Sequence, residues 1–107
     1  MNEQEMDIFK IISAAGDSRG SAFEALRFAR KGKFDEAEAK MQEAKEKSID
    51  AHDVQTKLIT SEINGDKTET SLLMVHAQDH LMTSILARDL IEEMIGMLRE
   101  QSKANAL

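Results

Sequence analysis

The chain has 107 residues, one domain's worth, and carries 14 basic against 20 acidic side chains for a net charge of −6. It contains no cysteine, proline, tryptophan or tyrosine. These counts exclude a disulfide scaffold, thiolate metal sites and a cysteine nucleophile. They also argue against a turn-rich β fold and an aromatic stacking platform, and the acidic balance disfavours nucleic acid or an anionic membrane as partner.

A hydrophobic content of 41% is enough for a real core. The N-terminal stretch MNEQEMDIFK is acidic and lacks the apolar run of a secretory signal. No run of 18 apolar residues follows anywhere, so a cytoplasmic protein is expected.

Two punctuation marks divide the sequence into three helical segments. The first helix is predicted over about residues 3–31, with Ile8, Ile12, Ala15, Ala22, Phe23 and Leu26 at helical spacing. Gly16 and Gly20 are weak points that suggest a bend or a close helix contact. Arg30-Lys31-Gly32-Lys33 then reads as a helix C-terminus with its cap. The second helix is predicted over about residues 35–63. It opens on Asp35-Glu36-Ala37-Glu38, which resembles a capping box. Its stripe of Ala37, Met41, Ala44, Ser48, Ala51, Gln55 and Leu58 is narrow and small, which suits close approach to neighbours. Asn64-Gly65-Asp66-Lys67 is a turn signal, and two short connections imply antiparallel neighbours.

The third helix is predicted over about residues 70–103, capped by Thr68 or Thr70. At 100° per residue, Leu72, Asp79, Leu86, Leu90 and Met97 share one line. Leu73, His80, Ile91 and Leu98 share an adjacent line, and Met74, Leu81 and Ile85 lie on the far side. A helix apolar nearly all round is buried all round. Two partner helices cannot surround it, so it should pack both inside its own subunit and against copies of itself. The four methionines on this helix read mainly as core filler, with Met82 an example of one that could present an adaptable apolar surface to a partner.

Chemistry concentrates at His76-Ala77-Gln78-Asp79-His80. The two histidines are four apart and share a face. Asp79 sits on the most apolar line, where an ionised carboxylate needs a cation or donors. Repeated around a symmetry axis, such carboxylates need a metal or shared protons, and an all-oxygen site favours Mg²⁺ or another hard cation. Spacing alone leaves the histidines open between a transition-metal pair, a reactive histidine with support, and ordinary partly buried side chains. His52, beside the small-residue stripe, reads as structural. A di-iron bundle needs Glu three before His, whereas Ile49, Leu73 and Ala77 hold those places. The metalloprotease, P-loop and dinucleotide motifs are absent too. Phosphoryl transfer remains, and imidazole suits it: its neutral form is nucleophilic near pH 7 and a bond at the other nitrogen fixes the tautomer. Gln78 and His80 could hold the ring or hydrogen-bond a phosphoryl group.

At these residues the sequence resembles the lactose/cellobiose-type enzyme IIA components of the bacterial sugar phosphotransferase system. Met74 to Thr83 matches the family's signature around its phosphorylated histidine, and Ala14 to Asp17, Ser21 to Ala25, Ala51-His52 and Gln55-Thr56 agree as well. The resemblance implies an all-α subunit of three antiparallel helices, assembling as a homotrimer with nine helices. It implies phosphorylation of His76 by the phosphocarrier HPr, with Gln78 and His80 nearby, and transfer to a cysteine of the cognate IIB component. IIB would then phosphorylate a disaccharide (cellobiose or another β-glucoside, chitobiose or lactose) as the membrane IIC component imports it. It further implies one Mg²⁺ per trimer on the three-fold axis, held by Asp79 of each subunit. The competing reading is a non-catalytic trimeric helical interaction module. A histidine phosphotransfer domain is disfavoured, because Lys-Gly does not follow His76 at the spacing that class shows.

Overall fold

The computed structural model describes residues 1–66 and 69–106. Lys67 of the expected turn and Thr68, one of the two expected caps, lie outside them. Three helices make up the described chain: α1 (Glu3–Arg30), α2 (Phe34–Ile63) and α3 (Leu72–Asn105). They form a rod of 60 × 24 × 20 Å. Helix α1 packs extensively on both partners, while α2 and α3 touch each other far less and leave a groove between them.

The helix ends follow from local chemistry. Asn2 caps α1 by accepting from the Glu5 N–H. After α1 the backbone turns through Gly32 at φ +77°, a conformation only glycine adopts without strain. The expected capping box at Asp35–Glu38 does not form. Helix α2 starts one residue earlier, at Phe34, behind Lys33, which makes no side-chain cap. Asp35 and Glu36 instead place negative charge in the first turn, where the helix dipole favours it. Ser71 caps α3, not Thr70, by accepting from the Met74 N–H at 3.1 Å.

Alanine sets the spacing of the bundle. Ala15, Ala22, Ala25 and Ala29 of α1 and Ala37, Ala44 and Ala51 of α2 are almost fully buried, which lets the two axes approach closely. Two apolar clusters result. One joins Ile8, Ile11, Ala15, Ala51, Met74, Ala77 and Leu81. The other joins Ala22, Ala25, Ala29, Ala37, Met41, Ala44, Ile91 and Ile95. Between them runs a polar belt. Ser18 donates to the Ala44 carbonyl at 2.6 Å, Lys47 donates to Ser21, and Arg88 Nη1 donates to Ser48 Oγ at 2.6 Å. These bonds satisfy most of the buried polar groups of the belt, but Arg88 Nε and the neighbouring Ser84 Oγ are buried without a partner among the described residues.

Three expectations about the core need correction. Phe23 does not enter it: one residue past Ala22 it turns about 100° away and stays exposed. Of the four α3 methionines only Met74 is core; Met82, Met94 and Met97 are exposed. No close packing explains Gly20, beside which a Cβ would meet nothing.

Candidate phosphoryl-acceptor site

Helix α3 has two opposed apolar faces. Met74, Ala77, Leu81, Ile91 and Ile95 face the bundle core. The opposite face carries Leu72, Val75, Met82, Leu86, Leu90 and Met97, with Leu72 85% and Met97 67% exposed. Asp79 lies at the centre of that outer face and is itself exposed. Among the described residues its carboxylate has no ion-pair partner, and no cluster of three or more potential metal-ligating side chains exists within one chain.

His76 lies on the edge of this face that borders α1. Its ring is exposed and stacks on His80, with centroids 5.6 Å apart and planes 19° from parallel. His80 is half-buried against α1. There a Cβ on Gly16 would sit 3.8 Å from His80 Nε2, in ordinary contact, so the imidazole packs directly over this position and leaves room for nothing much larger than a methyl group. Burial holds the His80 pKa below the usual imidazole value, and the positive charges of Arg19 and His76 push the same way. This environment favours the neutral form of His80, which donates from one nitrogen. Arg19, which sequence reasoning missed, brings a cation to the same corner; its only sequence signal is its place one turn after Gly16.

Gln78 is not brought to His76. At 100° per residue, His76 lies about 60° to one side of Asp79 and Gln78 about 100° to the other. Gln78 turns toward α2, where Gln55 Nε2 donates to its Oε1 at 2.6 Å. Among the described residues its own Nε2 meets only the Met74 sulfur, at 3.7 Å. His52 is exposed on the same side and lines the α2–α3 groove with Ile49, Gln55, Met82, Ile85 and Arg88. That groove has a volume of about 660 Å³, so His52 is a surface residue and not part of the core.

In chemical terms the site offers an exposed imidazole, a neutral histidine and an arginine nearby, and a carboxylate stranded on an apolar face. The first three suit a group carrying a phosphoryl dianion. The last suits a hard cation shared between copies. Among the described residues no helix is long and apolar enough to cross a membrane.

Residues 6–99 match the family described as PTS system, Lactose/Cellobiose specific IIA subunit. The chain is 49% identical over 98 residues to the lichenan-specific phosphotransferase enzyme IIA component of Bacillus subtilis, covering 91% of this chain and 89% of that protein. The fold superposes on the PTS cellobiose-specific enzyme IIA of Bacillus anthracis with a TM-score of 0.93 at 44% identity, over 96% and 94% of the two chains. It is also similar to the IIA of the N,N'-diacetylchitobiose branch of the Escherichia coli phosphotransferase system, solved in complex with HPr. There the TM-score is 0.82 and the identity 40%, over 95% and 99% of the chains.

Proposed function

Because the chain belongs to the lactose/cellobiose-specific IIA family, and so is a component of a sugar phosphotransferase system, we propose that it is a cytoplasmic phosphohistidine carrier acting through His76. The observation that carries this reading is the exposed His76 imidazole stacked on a neutral His80. Phospho-HPr is the donor, as befits a chain similar to a IIA solved with HPr. A His76 ring nitrogen attacks phosphorus, the donor's N–P bond breaks and a new one forms. The phosphoryl group then leaves for the cysteine thiolate of the cognate IIB component, and His76 returns to its neutral state. Such transfers need alignment and charge stabilisation more than covalent assistance. His80 and Arg19 supply donors and positive charge at the corner where the dianion forms. The sugar is a disaccharide, which IIB phosphorylates while the membrane IIC component imports it. Cellobiose or a related β-glucoside fits best, given the similarity to cellobiose- and lichenan-specific relatives.

The working form is a homotrimer with the outer α3 face at its centre. The size of that face supports this reading: solvent-exposed leucines and methionines run along the length of the helix. Asp79 then approaches the three-fold axis, and three carboxylates with no cation partner of their own fit one hard divalent cation such as Mg²⁺. When bound, the ion would offset two of the three negative charges; it would take no part in the transfer. In this arrangement the His76 edge of one α3 faces the Gln78 edge of the next. Gln78 therefore serves the histidine of a neighbouring copy.

The test is incubation with enzyme I, HPr and phosphoenolpyruvate, read by intact mass beside His76→Ala. Gain of one acid-labile phosphoryl group by the wild type alone is expected. No gain with active donors would refute the carrier and leave the interaction module.

A further inference from the structure

An amide has two ends, and only one of them helps a phosphoryl dianion. The NH₂ group donates to its oxygens, whereas the carbonyl oxygen repels them. An unrestrained glutamine presents either end, so its value at a phosphoryl site depends on what fixes it. Gln78 is fixed from a different helix: Gln55 Nε2 of α2 donates to Gln78 Oε1 at 2.6 Å. Gln55 is steadied in turn by the Met82 sulfur, which accepts from the same nitrogen at 3.8 Å. The pair ties up the carbonyl end of Gln78 and leaves its NH₂ with one weak acceptor, the Met74 sulfur. Both glutamines are half-buried, so holding them in one arrangement is not merely a matter of surface chance.

We propose that Gln55 is a positioning residue that works across the subunit boundary, fixing the Gln78 amide so that its NH₂ faces the phosphoryl group on His76 of the neighbouring copy. The inference rests on the trimeric carrier reading above and deepens it. It follows from the angles on α3. Within one chain His76 and Gln78 diverge by about 160° around the helix axis, so Gln78 cannot reach its own histidine. Around a three-fold axis the two edges meet at nearly the same height, because the residues are only two apart. The α2 helix, which never nears His76 in its own chain, thereby enters the chemistry of the next.

The test mixes variants. His76→Ala subunits carry no phosphoryl group, and Gln55→Leu subunits keep His76 but lose the amide restraint. Initial transfer rates from phospho-HPr are measured for each homotrimer and for trimers co-expressed with His76→Ala in excess, normalised per intact His76. For the Gln55→Leu homotrimer we expect kcat about tenfold below wild type with KM for phospho-HPr unchanged, near the effect of one hydrogen bond to a charged group. In the mixed trimers the rate per His76 should return toward wild type, since each intact histidine then faces an intact Gln55–Gln78 pair. Gln55→Glu, which can only accept, should invert the Gln78 amide and slow transfer at least as much. A rate per His76 that stays low in the mixed trimers would overturn the cross-subunit role. An unchanged kcat in Gln55→Leu would overturn the positioning role altogether. A wild type that takes up no phosphoryl group, or that scatters light as a monomer, fails one step earlier and removes the carrier or trimer reading itself.

Discussion

Replacing Asp79 with leucine should convert a cation-dependent trimer into a cation-independent one. Leu72, Leu86, Leu90 and Met97 are 85%, 58%, 50% and 67% exposed in the single chain. Fully burying such a side chain stabilises by roughly 1.5–3 kcal/mol, so half to most of that remains to be gained at each. The four together favour association by about 4–8 kcal/mol per subunit before the entropy of assembly is counted. Against this stand the carboxylates. Two unit charges about 4 Å apart at an effective dielectric of about 20 repel by roughly 4 kcal/mol, and a three-fold cluster holds three such pairs, or roughly 4 kcal/mol per subunit. Repulsion of this size offsets half or all of the apolar gain, so the proposed trimer should depend on a counter-ion. Asp79→Leu removes the repulsion and adds about 1–2 kcal/mol of burial per subunit. Thermal melts and light scattering, each with and without EDTA, read the outcome. Wild type should lose melting temperature and assembly on chelation, while the variant should ignore EDTA and melt roughly 20 °C or more above chelated wild type. A wild type indifferent to EDTA together with a monomeric variant would refute the axial cluster.

Smaller perturbations at three positions test other parts of the structure. Leu81 is fully buried in the apolar cluster beneath the histidines, so Leu81→Ala should destabilise by about 2–5 kcal/mol in urea unfolding. Ser71→Ala removes the α3 cap and should cost about 1 kcal/mol by the same assay. Gly16→Ala should be accepted, because its Cβ would make only ordinary contact with His80, and should add up to about 1 kcal/mol of stability by removing a glycine from a helix interior. Gly16→Leu should fill the seat of His80 and slow phosphorylation of His76, read by intact mass over time, without dissolving the helix in circular dichroism.

What the sequence revealed and what it hid follow physical lines. The His76–His80 pair was legible because a four-residue step on a helix always places side chains on one face. Asp79 was legible because a charge on an apolar line violates the pattern. Gln78 was not: nearness in the chain suggested support for His76, but a two-residue step turns a side chain well over a quarter of the way round the helix. Its partner, Gln55, lies 23 residues away, and no periodicity connects them. The cap of α3 escaped for a different reason. Thr68, Thr70 and Ser71 all have capping chemistry, and only the register of the first turn selects Ser71. Phe23 misled because hydrophobicity alone does not say which of two adjacent residues points inward; the alanine track of α1 decides that in favour of Ala22.

The belt of buried serines in the middle of the rod has a dynamic consequence. Hydrogen-bonded hydroxyls join the two apolar clusters, but they do not weld them as interlocked aliphatic side chains would. Each half of the bundle therefore has its own opening free energy. We expect the half bearing Met74, Ala77 and Leu81 to open around the histidines separately from the alanine-rich half. If the chain is the carrier proposed above, docking on two different proteins in succession, such an arrangement would give it a compliant end on a stiff handle. Amide hydrogen exchange along α3 would show it as a step in protection near Arg88, the α3 member of the belt.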